Sequence, residues 1–414
     1  MSKQDKILLS LFTLFFVTLF ISQINVINLI ITGLLVIYSF TVGSLKEKIT
    51  LLKNRKFVQW AILFFVFLIF SVAFSDNGSK GLHYLKLRIP LFIFPVSIGL
   101  LSLSPAFKQK VLSSFAFTTV VVCIACFMYG LFNYIVNGQI DALYNDNFTS
   151  LLEYQSVYIA LVVNFAIFII GYQVVYNKTR YPVLMTIGGL FLLLVAYLLG
   201  SRINMGILAA VALGFGFYYL ISKKKMLEIA TLSLGLLMAS LMVYKFQPQM
   251  LNRFKELIYN KYEYSHMGVE SHYGMELTED QWNGANFRLA AWRCGWEIFT
   301  ENPVIGVGLG DKKDVLFSKY EQKDFRFAIE TNKNVHNNYL DILYSLGIVG
   351  FVLFLIAWII MPTMQAFKDK DWLALVFVFT LACVWITEIH FDRSLGGMVA
   401  GFFVPLMLLS SKEE

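Results

Sequence analysis

The chain has 414 residues, of which 57% are hydrophobic and 15% charged, with a mean hydropathy of +0.65 and a formal net charge of +7. Its apolar content is well above that of soluble globular proteins and is arranged in long runs, which excludes an ordinary soluble domain. The positive charge collects on alternate connections between these runs, so it follows from membrane topology and does not indicate nucleic-acid binding.

Apolar runs of roughly 20 residues predict a polytopic, all-α membrane protein with about twelve transmembrane helices. The first two runs follow each other at once and therefore indicate a retained hairpin of two spans, not a cleaved signal peptide. The predicted spans are 7–22, 25–43, 57–74, 87–103, 110–136, 152–175, 181–199, 203–221, 226–244, 339–361, 372–389 and 395–410.

Lysine and arginine give the predicted orientation. They collect at the N-terminus and in connections such as 46–56 and 223–225, while the opposite short connections hold few of them. Positively charged loops resist translocation, so the lysine-rich side is expected to face the cytoplasm. With an even number of spans, both termini are expected there.

The largest connection is predicted to form a unit of its own outside the membrane. We expect residues 1–244 to hold spans one to nine, 245–338 to form a large, partly helical external loop, and 339–414 to hold the last three spans. Within the loop, "NFRLAAWRCGWEIFTENP" (286–303) has a helical apolar period and predicts an amphipathic helix near the bilayer surface. "NPVIGVGLGD" (302–311) lacks the flanking strand and helix of a nucleotide site and predicts a tight turn.

Four of the arginines on the predicted outer side are candidates for a functional role. Arg202 falls between two apolar runs with almost no loop between them, and Arg88 begins the fourth span. A charge at membrane depth marks a functional site by default, although both side chains could instead reach the outer headgroups. Arg288 and Arg293 lie in the predicted amphipathic helix, where an ordinary solvated face would explain them.

The stretch "NVHNNYLDILYSLGIVG" (334–350) opens the tenth span. Asn334 is predicted to cap its helix, which would place His336 and Asn337 in the first turn. Gly347 and Gly350 are predicted to let a neighbouring helix approach closely. A polar cap and a packing motif do not explain the histidine, which is the usual general base near neutral pH.

These residues resemble a known family. His336-Asn337, nine residues, then Gly347-x-x-Gly350 is similar to the motif of the bacterial O-antigen ligase and Wzy-type polymerase superfamily. Ser201-Arg202 and Arg288 look like that family's two arginines. The resemblance implies a GT-C-like, inverting, metal-independent glycosyltransferase of the inner membrane. Its members move a glycan from undecaprenyl diphosphate to an acceptor hydroxyl at the periplasmic face, among membrane lipids.

The resemblance also implies roles for the matching residues. His336 would be the catalytic base, with Asn337 and Ser201 in support, and Arg202 and Arg288 would bind the donor diphosphate, because guanidinium groups suit phosphate oxygens. Arg88 is a weaker third candidate for that contact.

Two alternatives to His336 as the base stay open. If a carboxylate were the base, Asp341 or Glu388 would be the candidate. The residues predict no metal site and no cofactor; His266 and His272, near Glu270, are more simply incidental surface histidines.

The resemblance leaves the particular reaction open. The layout of about twelve spans with a single large external loop looks like that of the ligases, which use a lipid A-core acceptor. A polymerase would use the same motif to extend the glycan, and a protein-glycosylating member would use it on a protein acceptor. A transporter of lipid-linked sugars would bind the same headgroup without chemistry, but transporters usually place polar sites near mid-membrane and show repeated halves.

Overall fold

The computed structural model describes residues 2–21, 25–176, 178–222, 224, 264 and 283–409. Every regular element in these residues is helical, which confirms the all-α class for the described part of the chain. The α-helices are α1 Lys3–Leu19, α2 Asn25–Thr41, α3 Leu45–Asn54, α4 Lys56–Ala73, α5 Gly78–Arg88, α6 Pro90–Ser97, α7 Pro105–Asn137, α8 Asn145–Phe148, α9 Ser156–Val175, α10 Pro182–Leu198, α11 Arg202–Ser222, α12 Gly284–Glu301, α13 Lys312–Gln322, α14 Arg326–Glu330, α15 Asn338–Leu355, α16 Met361–Lys368, α17 Trp372–Val384 and α18 Ser394–Met407. Short 3₁₀ turns cover Ile98–Leu100, Ile140–Leu143, Ser150–Leu152 and His390–Asp392, and a π-helical turn, Ile356–Ile360, joins α15 to α16.

Among the described residues, five segments are long and apolar enough to cross a membrane: α4, α7, α9, α11 and Asn338–Lys368, which comprises α15, the π-helical turn and α16. A sixth candidate is the bent pair Val26–Thr41 and Leu45–Asn54, which turns through 101°. The shorter apolar helices α10, α17 and α18 occupy three further predicted spans. Span 226–244 lies outside the described residues, and the total of about twelve spans stays a prediction.

The fourth predicted span, 87–103, is divided in the structure. Arg88 ends α5, and Pro90 begins α6, where a first helical turn does not need the N–H that proline lacks. A 3₁₀ turn follows α6 at Ile98. The division leaves Arg88 at a helix end, beside the elements that form the candidate site.

Phenylalanines from several helices form the core of the bundle. The rings of Phe15, Phe94 and Phe402 pack together, with centroids 4.8 to 5.4 Å apart. The backbones of α6 and α18 meet at Gly401, where a Cβ would lie 2.4 Å from the carbonyl oxygen of Pro90. This packing fixes α5 and α6 against the turn that precedes α18.

The α12–α14 group, residues 284–330, packs on the start of α15. The predicted amphipathic helix is present as α12, and its buried face includes Phe287, Ala291 and Ile298. At Gly295 a Cβ would lie 2.9 Å from Leu340, so α12 and α15 are in close contact. Trp296, expected with the apolar face, is 54% exposed. The proposed placement of this group outside the membrane stays a prediction.

Helix α15 is opened at Gly347, which has φ 64° and ψ −171°. The loop after α12 fills the opening: Val307 N–H donates to Tyr344 O at 3.0 Å, and Ile348 N–H donates to Pro303 O at 2.8 Å. The expected neighbour of Gly347 was a helix, but the structure puts this loop there. Gly350 does face a helix, since its Cβ would lie 2.8 Å from Phe67 of α4.

Candidate functional site

The backbone around His336 differs from the expected helix start. Asn337 is the N-cap, because its Oδ1 accepts a hydrogen bond from Leu340 N–H at 3.0 Å, and α15 begins at Asn338. Asn334 accepts the N–H of His336 at 2.8 Å, and His336 has φ 46°. The prediction that Asn334 caps the helix was therefore wrong. His336 lies before the helix in a left-handed conformation, with its N–H bonded to Asn334.

The imidazole of His336 is paired with Glu388. His336 Nδ1 lies 2.8 Å from Glu388 Oε2, and the two side chains are only 20% and 10% exposed. An ionised carboxylate can only accept, so Nδ1 carries the proton of the neutral imidazole. The lone pair is then on Nε2. This arrangement is that of a general base oriented by a carboxylate.

The segment after α17 keeps Glu388 ionised. Glu388 Oε1 also accepts from Ile389 N–H at 3.1 Å. Burial raises the pKa of Glu388, but the hydrogen bond from His336 and the positive charge that this imidazole carries when protonated outweigh that effect and lower the pKa to about 2. A carboxylate with so low a pKa is a weak base, so the alternative of Glu388 as the catalytic base is disfavoured by its own environment. Its place as the partner of His336 was not predicted.

The two segments that carry this pair are joined by further hydrogen bonds. Asn338 N–H donates to Trp385 O at 2.8 Å, and Asn338 Oδ1 accepts from Phe391 N–H at 3.2 Å. His390 lies in the same turn, 1% exposed, with its ring 5.1 Å from that of Tyr158 on α9. Burial lowers the pKa of His390 to about 4 although Glu388 opposes the shift, so the ring is neutral near neutral pH.

Phe287 and Trp292 of α12 cover the other side of His336. The ring of Phe287 meets the imidazole edge-on at 5.6 Å, and Trp292 Nε1 donates to Val335 O at 2.9 Å. Arg288 follows Phe287 in the same helix, and its Nη1 donates to Gly284 O at 3.3 Å. The structure thus brings the helix that carries Arg288 against the candidate base.

Arg202 lies at the same end of the bundle as the pair. It is exposed and begins α11, directly after Ser201, whose Oγ accepts from Asn204 at 2.9 Å. Asn204 also donates to Val157 O at 3.2 Å, and the next residue, Tyr158, packs on His390. The start of α11 is therefore linked to the segment of Glu388 through α9, by the Asn204–Val157 hydrogen bond and the Tyr158–His390 ring contact.

Arg88 and Asp341 lie deep in the protein. Arg88 is fully buried and its Nη2 donates to Asp341 at 3.0 Å and to Asp392 at 2.8 Å. Asp341 is 1% exposed and also accepts from Lys312. This arrangement favours a structural role for Arg88, and the predicted diphosphate contact stays a prediction. The carboxylate of Asp341 is bound by Arg88 and Lys312, which disfavours it as the catalytic base.

An open cleft of about 610 Å³ adjoins the candidate base, between α12 and α15. Apolar side chains form most of its wall, and Asn337 and Arg293 contribute its main polar groups. The lining comprises Leu289, Trp292, Arg293, Trp296, Asn337, Tyr339, Leu340, Leu343 and Phe351. Its α15 side runs from Asn337 at the helix start to Phe351 within the apolar segment.

Within the described ranges there is no group of three histidine, cysteine or acidic side chains placed to hold a metal ion. His266, Glu270 and His272 lie outside the described residues. Their interpretation as incidental surface groups stays a prediction.

In the described residues, the fold and this pair define a helical membrane protein with a carboxylate-oriented histidine just before α15. A family model, Wzy_C, described as O-antigen ligase, matches residues 165–355, a range that includes Arg202, Arg288 and His336. This match confirms the resemblance and supports membership of the O-antigen ligase superfamily, and the family suggests a glycosyltransferase of the O-antigen ligase or polymerase type. No curated protein matches the chain.

Proposed function

We propose that this protein transfers a glycan from undecaprenyl diphosphate to an acceptor hydroxyl, with lipid A-core as the acceptor. The observation that carries the proposal is the 2.8 Å contact between His336 Nδ1 and Glu388, which leaves Nε2 basic. A transporter needs no oriented base, whereas transfer to a hydroxyl requires one. The family membership supports the same class of reaction.

In the proposed reaction, His336 Nε2 takes the proton of the acceptor hydroxyl as its oxygen attacks the anomeric carbon. The new C–O bond forms as the bond between that carbon and the diphosphate oxygen breaks, and the diphosphate leaves with the electron pair. Attack from the face opposite the leaving group inverts the anomeric centre. Glu388 stabilises the imidazolium that forms, and no metal takes part in the proposal.

The departing diphosphate needs cations, and we assign this role to Arg202 and Arg288. Arg202 is exposed at the start of α11, and Arg288 lies on the helix that covers His336. Planar guanidinium groups meet phosphate oxygens with two parallel hydrogen bonds and stabilise charge that develops in the transition state. Ser201 supports the turn before Arg202 through Asn204.

The cleft between α12 and α15 suits the lipid part of the carrier. Its wall is mainly apolar, and it runs from Asn337, beside the base, to Phe351 in a helix apolar enough to cross a membrane. An isoprenoid chain lying there would place its diphosphate near Asn337 and His336. We therefore assign this cleft to the first isoprene units of the donor.

We further propose that the protein lies in the bacterial inner membrane with both termini in the cytoplasm and the site facing the periplasm. The predicted division into 1–244, 245–338 and 339–414 is part of this proposal. It is supported by the distribution of lysine and arginine along the chain.

The direct test is transfer by the purified protein in lipid, with an undecaprenyl-diphosphate glycan as donor. His336→Ala should abolish transfer, and Glu388→Gln should lower kcat roughly 100-fold because an amide cannot stabilise the imidazolium by charge. The matched control is Glu330→Gln, at an exposed carboxylate in α14. Full activity of His336→Ala with bound donor would reject the base assignment.

A second experiment separates the two candidate reactions. In cells that lack this protein, a ligase defect leaves long glycans on the carrier and bare core at the surface. A polymerase defect leaves single repeats on the carrier. The second outcome would mean that the acceptor is a growing glycan and not lipid A-core.

A further inference from the structure

Four charged side chains form a cluster beneath the candidate site. Arg88 Nη2 lies 3.0 Å from Asp341 and 2.8 Å from Asp392. Lys312 Nζ lies 2.9 Å from Asp341 and 2.5 Å from Asp392. Each cation therefore bridges both carboxylates, and the four side chains come from α5, α13, α15 and the 3₁₀ turn before α18.

The cluster is buried and balanced in charge. The exposed fractions of the side chains are 0% for Arg88, 2% for Lys312, 1% for Asp341 and 15% for Asp392. Tyr344 OH donates to Asp341 at 3.1 Å. Burial raises the pKa of Asp392, but Lys312 and Arg88 outweigh it, so the net effect is a lowered pKa. With two cations against two anions, removal of any one would leave an uncompensated buried charge.

The two aspartates lie close in sequence to the proposed catalytic pair. Asp341 comes five residues after His336, and Asp392 comes four residues after Glu388. The cations thus join the same two segments that the His336–Glu388 contact joins. A general base works only within hydrogen-bond reach of its partners, so this second connection has a direct bearing on the first.

Lys312 is itself held firmly. The carboxylate of the preceding Asp311 accepts from the N–H groups of Asp76 and Asn77, both at 2.8 Å. The ring centroid of Tyr84 lies 4.4 Å from Lys312 Nζ. The ammonium therefore comes to the cluster from a rigid turn.

We propose that Lys312 is a positioning residue for the transfer reaction. By joining the two aspartates, it holds the segment that carries His336 against the segment that carries Glu388. Through Lys312, the α12–α14 group sets the geometry of the base without touching the substrate. This inference rests on the proposed function of His336, and its test includes a measurement that needs no substrate.

The test compares Lys312→Met with the double variant Lys312→Met/Asp392→Asn. The single variant leaves two carboxylates against one cation and should lose both stability and activity. The double variant is neutral again, with Arg88 opposite Asp341, but the lysine bridge is gone. We expect its Tm to return toward that of the wild type while kcat stays about 100-fold low and KM for the donor changes little.

The substrate-free measurement is the rate at which diethyl pyrocarbonate modifies His336, followed by peptide mass spectrometry. The rate should rise in both variants, because the imidazole leaves Glu388, while the rate at the exposed His83 stays constant. Lys319→Met is the matched control, since Lys319 lies in the same helix and pairs with Glu301 at 2.6 Å, away from the cluster. It should change neither kcat nor the His336 rate.

Two results would overturn the inference. Recovery of kcat together with Tm in the double variant would show that Lys312 acts only through the stability of the fold. An unchanged His336 modification rate in a folded Lys312→Met protein would remove the positioning role. Should the wild type transfer no glycan, the proposed function fails, and the modification rate alone still decides the role of Lys312.

Discussion

At the residue scale, a second histidine lies beside the proposed catalytic pair. His390 is buried in the 3₁₀ turn two residues after Glu388, and neither of its ring nitrogens has a hydrogen-bond partner among the described residues. A neutral imidazole tolerates such a site far better than a charged one. His390 therefore makes the fold sensitive to acid in a predictable range.

We expect stability to fall as the pH drops from about 6.5 to about 4. Burial lowers the folded-state pKa of His390 from 6.5 to about 4, so in this range the unfolded chain binds the proton and the folded protein does not. Stability then decreases with falling pH, by on the order of 3 kcal/mol across the range. His390→Phe keeps an aromatic ring against Tyr158 and should remove this component of the acid sensitivity.

The measurement is Tm against pH for the wild type and His390→Phe in the same detergent. The difference between the two proteins should change between pH 6.5 and 4 and stay constant from pH 7 to 8. His83→Phe is the control, because His83 is exposed on α5. Parallel curves for the wild type and His390→Phe would contradict the prediction.

The sequence indicates His336 as a candidate base but does not predict the arrangement around it. The histidine stands out because its motif is local, with Asn337 adjacent and the glycines in the next turns. Glu388 is 52 residues away in the chain, so no periodicity links it to His336. The ion pairs of Arg88 could not be predicted either, because its carboxylate partners come from α15 and from the turn before α18.

At the element scale, the helices could largely be predicted and the break in α15 could not. The apolar helices and α12 can be predicted because their apolar patterns are local, so each pattern lies within the segment that forms the helix. In "LYSLGIVGFV" the apolar pattern continues through Gly347, so it predicts an unbroken helix. The opening depends on the distant loop after α12, whose backbone takes over the hydrogen bonds of the broken turn.

Gly347→Ala should therefore be strongly destabilising. The new Cβ would lie 2.3 Å from the carbonyl of Val304, at a residue with φ 64°. Positive φ alone costs an alanine about 1–2 kcal/mol, and displacement of a backbone adds to it, so we expect a loss of about 3 kcal/mol or more. Activity should fall as well, because α15 begins beside His336.

Gly206→Ala in α11 is the matched control, since nothing lies within 4 Å of its added Cβ. Helix propensity favours alanine over glycine, so this variant should be as stable as the wild type or slightly more so. Tm measured in detergent compares the two substitutions. Equal stability of Gly347→Ala and Gly206→Ala would show that the loop does not hold the break.

At the scale of the whole molecule, internal contacts define two ends of the bundle. At one end, Arg55 at the start of α4 donates to Gly99 O at 2.6 Å, and Lys108 at the start of α7 pairs with Asp371 at 3.2 Å. At the other end, the loop after α12 docks on the last turn of α4, where Leu309 N–H donates to Ser71 Oγ at 3.0 Å. The α12–α14 group and the His336–Glu388 pair lie at this second end.

This division makes the predicted topology testable with four cysteine substitutions in a variant whose native cysteines are replaced. Lys80→Cys and Glu330→Cys lie at exposed positions of the second end, and Lys46→Cys and Lys110→Cys at exposed positions of the first. A maleimide that cannot cross the membrane should label the first pair in intact spheroplasts and the second pair only after permeabilisation. The reason is that the lysine-rich end resists translocation.

Labelling in pairs tests the packing and the orientation separately, because an error in the packing and an error in the orientation give different labelling patterns. Lys80 lies on α5, next to the docked loop, and pairs with Asp314 of α13 at 2.5 Å, so Lys80→Cys and Glu330→Cys must label together in either orientation. Labelling of only one of them would contradict the packing of the α12–α14 group on α4 and α5. Labelling of both only after permeabilisation would keep the packing but place the site at the cytoplasmic face, which would contradict the proposed orientation.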